Sequence, residues 1–123
     1  MTNPNFIILY VDSPAISAQF YADLLGKPPI EASPTFAIFA LASGMMLGLW
    51  STSAVKPPAT ANAGSGELAF TVANDDGVDS MYSDWCNRRL VIVQTPSKMD
   101  FGYTFVALDP DGHRLRIFAP SEQ

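Results

Sequence analysis

Phe6-Ile-Ile-Leu-Tyr-Val11 and Glu67-Leu-Ala-Phe-Thr-Val72 are two copies of one pattern. Sliding the chain by 61 places lays the first on the second and, at the same shift, Phe20 on Met81, Tyr21 on Tyr82 and Asp23 on Asp84. Further along, after a slightly longer loop in the second half, Gly44-Met-Met-Leu-Gly-Leu-Trp50 falls on Gly112-His-Arg-Leu-Arg-Ile-Phe118. A repeat makes each copy one supersecondary unit, so recognising it decides the architecture. Each half opens with a strand, continues into a helix and closes with a hairpin whose turn holds a glycine.

Local signals agree with this division. Phe6 to Val11 is almost wholly apolar and β-prone, as expected of a strand with one face on a helix and the other on a pocket. Ser13-Pro14 then supplies an N-cap and a proline for the first helical position, and Ile16, Phe20 and Leu24 recur every fourth residue until Gly26. The second helix carries Val78, Met81, Tyr82 and Trp85, with Asp75 and Asp76 at its start and Arg88-Arg89 at its end, as the helix dipole favours. Strands are predicted at Leu90 to Gln94, Tyr103 to Leu108 and Leu115 to Phe118, with Asp109-Pro-Asp-Gly112 as a tight turn between the last two. Each half is then βαβββ, with a weakly signalled strand near Pro28 to Ala32 in the first. The expected organisation is a single domain over 1–123: a first module over about 1–55, a second over about 67–120, and Lys56 to Gly66 as a mobile linker.

Composition narrows the function. A chain of 123 residues, 48% of them apolar, has material for one compact core. Seven Lys plus Arg against twelve Asp plus Glu give a net charge of −5, a field that repels polyanions and argues against nucleic acid. The single Cys86 can form no intrachain disulfide, and Met1 to Tyr10 shows no secretory leader, so the chain reads as cytoplasmic. Apolar runs such as Phe36 to Ala42 fall far short of the ~20 residues a membrane span needs.

With its two halves, the strand entering Val11-Asp12-Ser13, Phe20-Tyr21 before Leu24-Leu25-Gly26, and the closing Asp109-Pro110-Asp111-Gly112, the sequence resembles the vicinal oxygen chelate superfamily. That superfamily contains glyoxalase I, extradiol dioxygenases and bleomycin-resistance proteins. The resemblance covers nearly the whole chain and implies an α+β fold whose two βαβββ modules form a cupped, incompletely closed mixed β-sheet barrel. The family's enzymes hold a divalent metal through four side chains, one on the first and one on the last strand of each half. Those positions fall here on Phe6, Gly48, Glu67 and Arg116. Phenylalanine and glycine donate no ligand and the arginine cation repels a metal, so neither metal nor cofactor is expected. The comparison then shifts to the drug-binding branches, above all the phenazine-antibiotic resistance proteins, which similarly carry a Trp-Ser pair where this chain has Trp50-Ser51. By that resemblance the chain is a homodimer that sequesters a planar aromatic compound, each pocket lined by the first half of one chain and the second half of the other.

Strand side chains alternate between faces, so residues of the same parity as the four positions should look into the pocket. The ligand-binding candidates are Phe6, Ile8 and Tyr10 on the first strand, Met46, Gly48 and Trp50 on the fourth, and Glu67 and Arg116 in the second half. Trp50 is the preferred stacking face, and an offset ring pair contributes about 0.5–1.5 kcal/mol beyond burial. Gly48 is expected to leave room for a deeply seated ring system. Arg116 is expected to pair with Glu67 or to meet a ligand carboxylate with its planar fork. Tyr103 and Phe105 join the candidates on a strand whose parity the sequence leaves open. Phe6 and Ile8 read equally well as ordinary core. Trp85 reads as helix core, Cys86 as a small buried residue, and Arg88 and Arg89 as a solvated helix end. His113, following a turn glycine, reads as solvated.

No base and orienter stand together at a useful spacing, and no catalytic residue is assigned. Three rivals remain: a metal-independent enzyme with Glu67 as base or Tyr103 as acid, a metalloenzyme using His113, Asp109 or Asp111, and an interaction module.

Overall fold

The computed structural model describes residues 3–60 and 66–121. Two compact units, Met1–Ala63 and Gly64–Gln123, divide the chain. Of the predicted linker, Lys56 to Gly66, residues 61–65 lie outside the described residues. Both units are βαβββ, and the protein is α+β.

In the first unit β1 (Phe6–Val11) leads into α1 (Pro14–Leu25), then β2 (Glu31–Ala32), β3 (Phe36–Ala40) and β4 (Met46–Ser51). The sheet order is β1-β4-β3-β2, with β1 parallel to β4 and the other pairs antiparallel. Ser13 caps α1 through the Ile16 amide, Pro14 takes the first helical position, and Gly26 ends the helix in the left-handed region at φ 72°. The face that packs is not the predicted stripe. Pro14, Ser17 and Tyr21 are buried, whereas Ile16 is 64% exposed. Fourfold spacing drifts around a helix of 3.6 residues per turn, and small Ser17, not Ile16, lies on the buried side. Val11, Tyr21, Ala37, Phe39, Leu47 and Leu49 form the core of this unit.

The second unit repeats the plan: β5 (Glu67–Thr71), α2 (Asp75–Asn87), β6 (Val91–Met99), β7 (Gly102–Leu108) and β8 (Arg114–Pro120), in the order β5-β8-β7-β6. Phe6 pairs with Met46 and Glu67 with Arg114, so the two sequence shifts are reproduced as strand register. Phe105 stands edge-on to Tyr82 and Trp85 at 5.4 Å, and Phe70 meets Trp85 at 5.9 Å, which makes an aromatic core under α2. β6 runs five residues beyond its predicted end, through Pro96. Proline is tolerated there because β6 is an edge strand whose register shifts on either side of Gln94.

The end of α2 carries strain. Leu90 N–H donates to Trp85 O and Arg89 N–H to Cys86 O, a Schellman pair that places Arg89 at φ 63°. A side chain costs about 1–2 kcal/mol in that region, more than the ~0.4–1 kcal/mol of chain entropy that glycine adds to the unfolded state. Arg89→Gly should therefore stabilise the protein by about 0.5–1 kcal/mol in urea denaturation, and a lowered midpoint would contradict this reading of the cap.

Candidate functional site

In the first unit the even-numbered residues of three strands share one face. β1 contributes Phe6, Ile8 and Tyr10. Through the registers Phe6↔Met46, Ile8↔Gly48 and Tyr10↔Trp50, β4 adds its candidates beside them. Across β4, Phe36 stands opposite Trp50 and Ile38 opposite Gly48. Trp50 meets Phe36 at 5.7 Å and 61° and Tyr10 at 6.4 Å and 78°, both edge contacts that leave ring faces available. Phe6, Ile8 and Tyr10 are each about two-fifths exposed. This run of open apolar side chains lies on an edge strand and is not packed as core.

Gly48 does not leave the expected space. A Cβ there would lie 2.8 Å from Phe6 Cε1 and 3.0 Å from Phe36 Cζ, so the two rings already fill the room above the glycine. Glycine serves here to let the rings close over the backbone. Phe36 was missing from the sequence candidates, although folding β3 and β4 about the Gly44 turn pairs it with Trp50.

In the second unit Glu67 and Arg116 meet. Arg116 Nε donates to Glu67 Oε1 at 2.7 Å and Nη2 to Oε2 at 3.5 Å. Nη1 donates to Thr104 Oγ1 at 3.2 Å and to Gln94 Oε1 at 3.4 Å. The guanidinium lies 5.6 Å from the centre of the Phe101 ring, which in turn stands edge-on to Phe118 at 5.9 Å. Gln94, Phe101 and Thr104 carried no sequence signal of their own.

Tyr103 and Phe105 lie on the other face of β7. Phe105 is fully buried against α2, and the Tyr103 hydroxyl donates to Asp79 of α2 at 2.8 Å. That bond, then burial, then the Asp79 and Asp75 charges raise the Tyr103 pKa above that of an ordinary phenol. Tyr103 lines a polar cleft of about 550 Å³ at the start of α2, with Asn74, Asp76, Lys98 and Ser121. Its phenol is therefore not assembled with Glu67 as an acid–base pair. Cys86, expected to be buried, is exposed, because the packed stripe of α2 runs through Val78 and Trp85.

A family model, the glyoxalase/bleomycin resistance protein/dioxygenase superfamily, matches residues 3–117. The chain belongs to that superfamily. A phenazine antibiotic resistance protein of Enterobacter agglomerans is 25% identical over 117 residues, covering 93% of this chain and 89% of the relative. The solution structure of protein ATC0852 from Agrobacterium tumefaciens is 54% identical, with a TM-score of 0.90 over 99% of this chain and all of that one. A glyoxalase/bleomycin resistance protein/dioxygenase from Nocardioides shares the fold at TM-score 0.85 and 22% identity, over 99% of this chain and 85% of that chain. No helix among the described residues is long and apolar enough to cross a membrane.

The four positions that hold metal in the superfamily's enzymes do not fit a divalent cation here. Phe6 and Gly48 offer no donor, and the space beside Gly48 is taken by phenyl rings. Glu67 is the lone carboxylate of the set and is committed to a guanidinium. Among the described residues, no three His, Cys, Asp or Glu side chains form a metal-binding group elsewhere.

His113 is not solvated. It is 7% exposed, and its Nδ1 lies 2.8 Å from Asp109 Oδ2, while Asp109 Oδ1 accepts from the amides of Asp111 and His113 at 2.9 Å each. The bond to Asp109 raises the His113 pKa above its ordinary value; burial opposes this, and the charges of Asp109 and Asp111 add to it. A raised folded-state pKa contributes stability that is complete below the unfolded value of about 6.5 and is lost as pH rises through the folded value. The melting temperature should therefore fall more steeply on going from mildly acidic to alkaline pH in wild type than in His113→Gln. Parallel curves for the two proteins would exclude the ion pair as the cause.

Proposed function

We propose that this protein binds and sequesters a small planar aromatic compound, of the phenazine type, without a metal. The observation that carries the reading is the face on which half-buried Trp50 and Phe36 gather with the exposed rings of Tyr10 and Phe6, Trp50 meeting Phe36 and Tyr10 edge-on. A flat heteroaromatic molecule gains from such a surface through offset stacking and burial. The kinship with a phenazine antibiotic resistance protein supports the same ligand class. Catalysis is the weaker reading: Glu67 pairs with Arg116 while Tyr103 donates to Asp79 on the opposite side of the sheet, so no acid and base stand together.

Phe6, Ile8, Tyr10, Met46 and Trp50 form the stacking wall of this proposal, with Arg116 and Glu67 as its polar anchor. The protein works as a homodimer in which each ligand draws on the first module of one chain and the second module of its partner. The exposed apolar side chains of β1, including Ile7, Ile8 and Tyr10, supply surface for that pairing. A chain with one cysteine depends on no disulfide and suits the cytoplasm.

The test is a fluorescence titration with phenazine-1-carboxylate after exhaustive chelation. Quenching should saturate at one ligand per chain, in a species of two chains by light scattering, with the ligand recovered unchanged. Trp50→Phe should weaken binding by roughly three- to tenfold, the worth of a stacked ring pair. Trp85, on the buried face of α2, provides the residual signal. Consumption of the ligand would turn the reading towards an enzyme, and absence of quenching would remove the ligand class.

A further inference from the structure

Arg116 is held from two sides that differ in kind. One edge of its guanidinium, Nη1, is fixed by groups of its own sheet: the Gln94 amide oxygen at 3.4 Å and the Thr104 hydroxyl at 3.2 Å. Thr104 is fully buried, and its hydroxyl proton goes to Ile117 O at 2.7 Å, so only its lone pairs can face the arginine. The other edge, Nε and Nη2, forms the fork that matches a carboxylate, and Glu67 fills it. Glu67 is the looser partner: its side chain is 34% exposed against 15% for Arg116. It opens β5 directly after Gly66, and the exposed Arg114 is its neighbour in the β5–β8 register.

From this geometry we infer that Glu67 is an internal stand-in for a ligand carboxylate, so that the compounds the site selects are aromatic acids whose carboxylate replaces Glu67 in the Arg116 fork. This rests on the proposed aromatic-binding function and narrows its ligand class. Arg116 stays in place during the exchange, because Thr104, Gln94 and the Phe101 ring hold it without Glu67. Glu67 swings towards water and Arg114, so its charge is neither buried nor stranded. A partly exposed ion pair is weak enough for such an exchange, whereas a buried one would resist it. Phe101, beside the guanidinium, and Phe118, in edge-to-face contact with it, offer rings to the aromatic body of the acid. The arrangement discriminates by competition: a neutral ring system gains nothing at the fork, and an acid must outbid Glu67.

The experiment compares phenazine with phenazine-1-carboxylate, by titration calorimetry, on wild type, Glu67→Gln and Arg116→Lys. The quantity read is the affinity ratio of acid to neutral compound. With the competitor's charge removed, Glu67→Gln should raise that ratio by roughly tenfold, the scale of a charge-assisted bidentate contact. Arg116→Lys keeps the charge, loses the fork and should lower the ratio. An unchanged or lower ratio in Glu67→Gln, while both compounds still bind, overturns the inference and leaves the aromatic-binding function standing. Binding of neither compound to any of the three proteins, each folded by circular dichroism, overturns both.

Discussion

The buried contact between Asp109 and His113 sets the geometry on which the second module depends. Asp109 accepts from two backbone amides of its own turn and from the imidazole, and Asp109 N–H and His113 O close the connection. The turn thereby spans five residues, and Leu108 pairs with Arg114. A four-residue turn ending at Gly112 would pair Leu108 with His113 and turn every β8 side chain over relative to β7. Phe105 would then share a face with Arg116. In the observed register Val106 stands opposite Arg116 and Thr104 opposite Phe118, so Thr104 reaches the guanidinium while Phe105 joins the aromatic core under α2.

The two modules depart from the metal-binding pattern of their superfamily by different physical routes. In the first, side-chain donors are replaced by a phenyl ring and a glycine, and two rings close over the glycine backbone. The outcome is an apolar, partly exposed face. In the second, an arginine takes a ligand position and neutralises the remaining carboxylate. This leaves a guanidinium whose fork is oriented by its partner, since the fork matches a carboxylate in plane and charge.

Much of this was written locally in the chain. The repeat, the caps at Ser13 and Gly26, and the glycines of the hairpins specified two βαβββ units, because periodicity and turn chemistry act over a few residues. Parity along β1 and β4 identified Phe6, Ile8, Tyr10, Met46 and Trp50 as one face, since parallel pairing of two short apolar strands left little freedom of register. The pairing of Arg116 with Glu67 was one of two roles the sequence offered that arginine, once the resemblance had placed both residues at former ligand positions.

Tertiary structure decided what depends on distance and on a single residue of register. Which face of α1 packs, with Ser17 inside and Ile16 outside, followed from the approach of helix to sheet. Whether Gly48 was an open space or a seat for Phe6 and Phe36 turned on ring positions that no local pattern encodes. That Tyr103 and Phe105 face α2 while Thr104 faces Arg116 was decided by packing and by the β7–β8 register. Sequence by itself determined the two modules and the chemistry available to them, because propensity and periodicity are local. Only the tertiary structure decided which side chains meet, because side-chain contact is a long-range consequence of register and packing.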